Sequence, residues 1–149
     1  MASIKRFEDL EVWQKSRELC GEIGHILLKE GLSRNFKLRD QIDGSSGSIM
    51  DNIAEGFDRG GNKEFIQFLA YAKGSASELK SQLYRILDRK FIDKDEFEKL
   101  YEKTHEISRM LGGFMNYLKA TDFKGNKLKE PQSWYGNPGF ETNEFHSDN

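Results

Sequence analysis

The chain has 149 residues, of which 32% are charged and 36% hydrophobic, and this length is sufficient for one domain with a buried core. The net charge of −2 excludes a uniformly basic nucleic-acid binder, and a single cysteine, Cys20, excludes an internal disulfide framework. No apolar run approaches the roughly 20 residues of a membrane span, and residues 1–6 lack the apolar core of a signal peptide. We therefore expect a cytoplasmic protein without a membrane partner.

The first predicted helix covers Phe7–Glu30. Acidic residues at its start suit the positive end of a helix dipole, and Gly31 is a plausible stop signal. Helical spacing places five residues on its apolar stripe: Leu10, Trp13, Cys20, Ile23 and Leu27.

The second predicted helix covers Arg34–Asp58, with Ser33 as its cap. Its apolar stripe consists of Phe36, Ile42, Ile49, Ile53 and Phe57. The stretch from Asp43 to Ser48 contains two glycines and three serines, a composition typical of turns. Because the apolar spacing resumes in phase seven residues later, we predict a continuous helix, with a local kink or break as the alternative.

Two further helices complete the pattern. Gly60 and Gly61 indicate a turn, and Asn62 is predicted to cap the third helix, which continues to about Lys90. Asp93 and Glu96 predict a capping box at the start of the fourth helix, which ends near Thr121. Ile92 and Phe97 are spaced as a hydrophobic staple, and four residues in phase with their stripes are expected to be buried: Trp13, Ile53, Leu79 and Leu111.

These segments predict an all-α protein, an antiparallel up-down-up-down four-helix bundle formed by residues 1–124. Residues 125–149 contain both prolines and have no helical period, so we interpret them as a polar C-terminal tail. The tail also carries four aromatic residues, which leaves two interpretations open, disorder in solution or docking onto a bundle groove or a neighbouring subunit. These residues are Trp134, Tyr135, Phe140 and Phe145.

Several separated motifs carry a family resemblance. They are Phe7–Lys15 (FEDLEVWQK), Gln41-Ile42, Asn52–Phe57 (NIAEGF), Lys63–Leu69 (KEFIQFL) and Gly74–Leu79 (GSASEL). In this order and spacing, residues 5–120 resemble the four-helix-bundle proteins encoded by intervening sequences in bacterial 23S ribosomal RNA genes. The resemblance implies a small helical bundle that assembles into a ring-like pentamer, in a family most of whose members have no established activity. It also implies kinship with accessory proteins of diversity-generating retroelements, which bind nucleic acid and a reverse transcriptase through a basic surface.

The chain departs from the family pattern at two places. Asp43 and Gly44 stand where the family commonly has a basic pair, and Met50-Asp51 replaces the usual Pro-Ser of a Ser-Ile-Pro-Ser-Asn motif. Both changes add an acidic residue, so we expect any binding of nucleic acid to be weak.

Polar residues in or beside the apolar faces are the candidate site. A catalytic interpretation pairs Glu55 with Glu64 or Glu78 as acid and base. The structural interpretation, which we favour, has these residues fixing the register of the bundle by hydrogen bonds. The predicted structural polar residues are Asn52, Glu55, Glu64, Glu78 and Gln82.

No catalytic residue, cofactor or metal is predicted. Glu102 and His105 form one E-x-x-H motif, but di-iron bundles need two such motifs and two further carboxylates.

A basic end of the bundle is the candidate for nucleic-acid binding. In an up-down bundle the ends of the first and third helices meet the start of the second. Six basic residues are therefore expected at one end: Arg34, Lys37, Arg39, Arg85, Arg89 and Lys90.

The third helix carries more apolar residues than a bundle core needs, with Ile66 and Tyr84 widening its stripe. This excess predicts a homo-oligomer, and the resemblance sets the expected number of subunits at five. We therefore predict a non-enzymatic assembly protein of unknown cellular role. The alternative is a nucleic-acid-binding accessory factor that acts through the basic end of the oligomer.

Overall fold

The computed structural model of the protein describes residues 3–121 and Glu130. In this part of the chain, a short 3-10 helix and five α-helices are present and no strand occurs. The predicted all-helical bundle is therefore confirmed, with four long helices and one short one. The 3-10 helix is Phe7–Asp9, and the α-helices are α1 Glu11–Leu27, α2 Glu30–Arg34, α3 Phe36–Asp58, α4 Asn62–Asp88 and α5 Lys94–Ala120.

The long helices pack in the order α1, α3, α4, α5, and α1 also packs against α5. Hydrogen bonds link Gln82 with Gln41 and Ser75 with Ser48, so α3 and α4 run in opposite directions. Ion pairs link α1 to α5 in reverse chain order, Lys15 to Glu106 and Glu22 to Lys103. The core lies between these helices, and Ile53, Leu79 and Leu111 are fully buried in it, as predicted.

The first predicted helix is wrong in its continuity. The chain forms a 3-10 turn, then α1, which ends at Leu27, then the short α2. Gly31 and Ser33 lie inside α2 rather than acting as a stop and a cap. The cause is tertiary, because Leu32 of α2 is completely buried and a side chain at Gly31 would collide with the ring of Phe91.

The predicted apolar stripe of the first helix is confirmed at Leu10, Ile23 and Leu27, which are buried. The predicted burial of Trp13 and Cys20 is wrong, because both are only half-buried and their neighbours Val12 and Leu19 face the core together with Ser16. Ser16 tolerates burial because its hydroxyl donates to the carbonyl of Val12 at 2.7 Å. The Trp13 ring instead lies edge-on to Phe7 at 5.1 Å and contributes to the rim of the core.

The prediction of a continuous α3 is confirmed through its glycine- and serine-rich centre. Ser45 is buried and donates its hydroxyl to the carbonyl of Gln41, one turn earlier. At the other end of α3, Gly56 is buried and a Cβ there would lie 2.5 Å from the Cβ of Phe68 on α4. Small residues thus bring α3 and α4 together. Phe36, placed on the α3 stripe by its spacing, is 63% exposed because the side chain of Asn35 caps the helix and Leu38 makes the first core contact.

The capping box of α5 is confirmed, since Asp93 accepts from the backbone of Glu96 and Glu96 accepts from the backbone of Asp93. The predicted cap at Asn62 is wrong. Gly61 occupies the cap position, and the amide of Asn62 donates to the carbonyls of Leu118 and Thr121 at 2.6 and 2.7 Å. Asn62 therefore ties the start of α4 to the end of α5.

Glu130 connects the tail to the bundle. Its side chain is 1% exposed and accepts hydrogen bonds from the backbone of Glu11 at 2.6 Å and of Val12 at 3.0 Å. A carboxylate at this position caps the N-terminus of α1 and complements its helix dipole. The four tail aromatics lie outside the described residues. Among the described helices, none combines the length and the apolar character needed to cross a membrane.

Candidate functional site

One of the predicted structural polar residues, Gln82, forms a direct contact between α4 and α3. Gln82 is 4% exposed, and its side-chain amide donates to the carbonyl of Gln41 and to the carboxylate of Glu78, both at 3.4 Å. The Gln82 side-chain oxygen is buried with no hydrogen-bond partner among the described residues. Gln82 therefore fixes the helix register through its nitrogen, as expected of a structural residue.

Asn52 acts through a serine. Its side-chain amide donates to the carbonyl and the hydroxyl of Ser48 at 2.8 and 2.9 Å, within α3. The Ser48 hydroxyl in turn accepts from Ser75 of α4 at 2.9 Å. This chain of hydrogen bonds joins the centres of the two helices.

The expected contact of Glu55 with a neighbouring helix is wrong. Glu55 is exposed and pairs with Arg59 of its own helix at 2.9 Å, which raises the pKa of that guanidinium. Glu55 follows the outward side of α3, where its i+4 partner is the nearest cation. Glu64 is also exposed, in the first turn of α4, so neither of these two carboxylates is buried.

The predicted basic end is only partly assembled. Arg85 donates to the side-chain oxygen of Gln41 at 3.3 Å, which places the end of α4 beside the start of α3. Arg34 is paired with Glu30 at 3.0 Å, and Arg39 with Asp40 at 3.4 Å, so two of the six charges are locally balanced. Lys37 and Arg89 are exposed.

Lys90 has a backbone role at this end. It adopts a left-handed φ of 62°, and the following residue, Phe91, donates its N–H to the carbonyl of Ile86. This is the pattern of a Schellman motif, in which a glycine is usual because a side chain is strained there.

A second group of basic residues was not singled out from the sequence. We call it the basic flank, and it consists of Lys73 and Lys80 on α4 with His105 and Arg109 on α5. Lys80 Nζ lies 2.7 Å from His105 Nδ1. An ammonium group has only donors, so a protonated Lys80 donates this bond and the imidazole nitrogen accepts it.

Aromatic rings support the basic flank. Lys80 Nζ lies 5.4 Å from the ring centroid of Tyr101, and His105 stacks on the same ring at 6.3 Å with planes 12° apart. Tyr84 completes the group, 5.7 Å from Tyr101 and 49% exposed. Burial, and then the neighbouring Tyr84, raise the pKa of Tyr101, so the hydroxyl of Tyr101 keeps its proton at physiological pH.

The electrostatics of Lys80 are unfavourable within the chain. Half-burial, Lys73 and Arg109 lower its pKa from the usual 10.5, and Glu102 only partly offsets them. No carboxylate oxygen of the described residues lies within 4.0 Å of the ammonium nitrogen of Lys73 or Lys80. A half-buried cation beside other cations favours an anionic partner.

The histidine of the motif Glu102–His105 belongs to the basic flank. Its imidazole nitrogen faces an ammonium group, an arrangement that opposes metal binding there. Among the described residues, no group of three His, Cys, Asp or Glu side chains is placed to hold a metal ion.

The sequence contained a weak signal for the basic flank. Lys73 and Lys80 are seven residues apart, and Tyr101, His105 and Arg109 are spaced at four, so each set lies on one helical face. No sequence pattern indicated that the two faces would meet. Glu130 gave no signal at all, since it lies in a segment without periodicity.

Comparison with known proteins adds a family and a fold. Residues 8–113 match the model of the family described as 23S rRNA-intervening sequence protein. The chain is also similar to a crystal structure of a protein with unknown function from the S23 ribosomal protein family of Bacteroides thetaiotaomicron. That similarity has a TM-score of 0.65 and 26% identity, and it covers 70% of this chain and 97% of the other. Among proteins with curated functions, none matches the chain.

Proposed function

The chain belongs to the 23S rRNA-intervening sequence protein family, and we propose that it is a non-enzymatic assembly protein that acts as a homo-oligomer. The proposed form is a cyclic pentamer, a number that comes from the resemblance noted in the sequence. We place the protein in the cytoplasm of a bacterium and assign it no cellular role.

The observation that carries self-assembly is the exposure of one aromatic residue on each side of α4. Tyr71 is 51% exposed and lies against Phe68, which contacts Gly56 of α3. Tyr84 is 49% exposed and lies against Phe97 and Tyr101 of α5. Exposed aromatics on two different sides suit a head-to-tail contact, in which one surface meets a different surface of the next copy.

The polar residues support a role without chemistry. Gln82 and Asn52 link α3 and α4, and Glu55 pairs within its own helix. Each of these side chains thus has a structural partner, and no pair of them forms an acid and base around a common cleft.

Light scattering of the full chain at micromolar concentration tests the assembly. We expect a mass about five times the 17.3 kDa of one chain. A mass near 17 kDa would defeat the proposal, and another multiple would retain assembly and reject the pentamer. Tyr71→Glu should lower the mass because it places a charge in the contact, while Asn116→Glu, an equally exposed change on α5, should leave the mass unchanged.

The basic end gives no observation that favours the nucleic-acid alternative over this proposal. Two of its six residues are balanced by neighbouring acids, and Lys90 serves the backbone turn. Weak binding of nucleic acid remains a prediction.

A further inference from the structure

The inference concerns which surfaces of the chain meet, and it rests on the proposed self-assembly. Lys80 of the basic flank is half-buried, lies near Lys73 and Arg109, and contacts the imidazole of His105 at 2.7 Å. Among the described residues no carboxylate forms an ion pair with Lys73 or Lys80, and Glu102 offsets the repulsion at Lys80 only in part. A carboxylate from outside the chain would remove this repulsion.

The same chain carries carboxylates on the outward side of α3. We call this surface the acidic face: Asp43 and Asp51 on a shallow groove that is also lined by Gly44, Gly47, Ser48, Asn52 and Glu55. Asp43 and Asp51 are exposed and have no ion pair with any described residue. Gly44 and Gly47 place no side chain in the groove, and a Cβ at either would meet no atom within 4 Å, so another surface can approach closely.

The acidic face and the basic flank lie at matching heights along the bundle. Ser75 is hydrogen-bonded to Ser48, and Gln82 to Gln41, so these contacts define levels on the antiparallel helices α3 and α4. Counting from them, Asp43 is level with Lys80, and Asp51 is level with Lys73. At about 1.5 Å rise per residue, the acids are separated by about 12 Å and the lysines by about 10.5 Å.

A ring with cyclic symmetry brings residues of matching height together. Rotation about an axis parallel to the helices keeps every residue at its own height, so residues that meet between neighbouring copies come from the same level. A contact between two adjacent sides of a bundle also turns each copy relative to the last, which leads to a closed ring rather than a straight fibre.

We infer that the acidic face of one copy docks on the basic flank of the next, with Asp43 paired to Lys80 and Asp51 paired to Lys73. In this contact the two carboxylates neutralise Lys80 and Lys73. Tyr84 lies at the rim of the contact, where its ring becomes buried from water. The partner is a second copy of this chain, because the charges complement each other in sign, spacing and height.

Charge reversal in the full chain tests the pairing by sedimentation velocity. Lys80→Glu and Asp43→Lys each place like charges in every interface, and we expect the dissociation constant to rise by at least about 100-fold. The double variant Asp43→Lys with Lys80→Glu restores opposite charges and should assemble again. Lys63→Glu and Asp88→Lys make the same charge changes at exposed positions of α4 outside the two surfaces and should not alter the mass.

Circular dichroism guards against misfolding. Lys80→Glu should keep the helical signal of the native chain, because a carboxylate beside Lys73 and Arg109 relieves repulsion in the separate subunit.

The outcomes separate the two proposals. If the native chain is oligomeric and the single reversals stay assembled, or if the double variant fails to recover, the pairing is wrong while self-assembly stands. If the native chain is a single subunit, both the proposed function and this pairing are wrong. Recovery only in the double variant supports the pairing, since no other partner links these two positions.

Discussion

The two sides of α5 present lysines in opposite situations. On the side facing α1, which we call the neutral flank, Lys15 meets Glu106 at 2.8 Å, Lys29 meets Glu96 at 2.6 Å and Lys103 contacts Glu18 and Glu22. On the side facing α4, Lys80 meets an imidazole and neighbouring cations. Among the described residues, the lysines of the first side have carboxylate partners within 4.0 Å, and Lys73 and Lys80 of the second side do not. The comparison indicates where the bundle needs only itself and where it favours a partner.

The largest expected effect tests the core that both flanks share. Leu79 of α4 is fully buried, so Leu79→Ala should reduce the free energy of unfolding by about 2–5 kcal/mol. Urea denaturation followed by circular dichroism measures this loss. Ser81→Ala, an exposed change in the same helix, is the control, and a loss below about 0.5 kcal/mol for Leu79→Ala would contradict the observed packing.

The second effect concerns the cap that Glu130 forms on the N-terminus of α1. Glu130 caps α1 through the backbone of Glu11 and Val12, so Glu130→Ala should cost about 1–2 kcal/mol of stability. Amide hydrogen exchange of Val12 should become faster in this variant. Glu141→Ala, a change of the same kind elsewhere in the sequence of the tail, is the control. Equal exchange rates with and without Glu130 would show that its cap does not form in solution.

The third test compares the flanks directly. Lys103→Met removes the cation shared by Glu18 and Glu22, which leaves Glu22 only the longer contact with Lys99 at 3.8 Å, and should destabilise the subunit by about 0.5–1 kcal/mol. Lys80→Met removes a repelled, half-buried charge and should be neutral or stabilising. Urea unfolding is measured at a dilution where light scattering shows single chains, so that subunit contacts do not contribute. Equal losses for the two variants would abolish the distinction between the flanks.

A fourth test uses pH. Hydrogen bonding to Glu106 and Glu22 raises the pKa of Lys15 and Lys103 above 10.5, so their stabilisation is present below 10.5 and is lost as pH rises through the raised values. Burial lowers the pKa of Lys80, so its folded form loses a proton first and stability gains as pH rises toward 10.5. NMR titration of the lysine side chains should show Lys80 deprotonating before Lys15 and Lys103. The reverse order would contradict the proposed environment of Lys80.

The smallest effect is expected for nucleic acid. Because the basic flank is short and residues 1–124 carry equal numbers of basic and acidic residues, few phosphates can be neutralised. Fluorescence anisotropy with duplex DNA and structured RNA should show no tight complex at physiological salt. Nanomolar, salt-sensitive binding that is lost in Lys80→Glu would assign the basic flank to nucleic acid instead of a second copy.

The sequence by itself determined where α3, α4 and α5 form and which of their central residues face the core. The helical spacing of Ile42 and Ile49 predicted that α3 continues through its glycines, and the pair Asp93–Glu96 predicted the start of α5. These features depend on interactions within a few turns of one helix, which a sequence displays directly. The burial of Leu79 and Leu111 followed from the same periodicity.

The tertiary structure decided how distant segments share partners. Leu32 is buried, so α2 packs on the core and interrupts the first predicted helix. Asn62 does not cap α4, and its side chain donates instead to the backbone at the end of α5. Glu130 bonds to the backbone of α1, 118 residues away in the sequence. Lys80 contacts His105 because α4 and α5 lie side by side. Such contacts depend on the relative placement of packed helices rather than on local preference, so no pattern within one segment contains them.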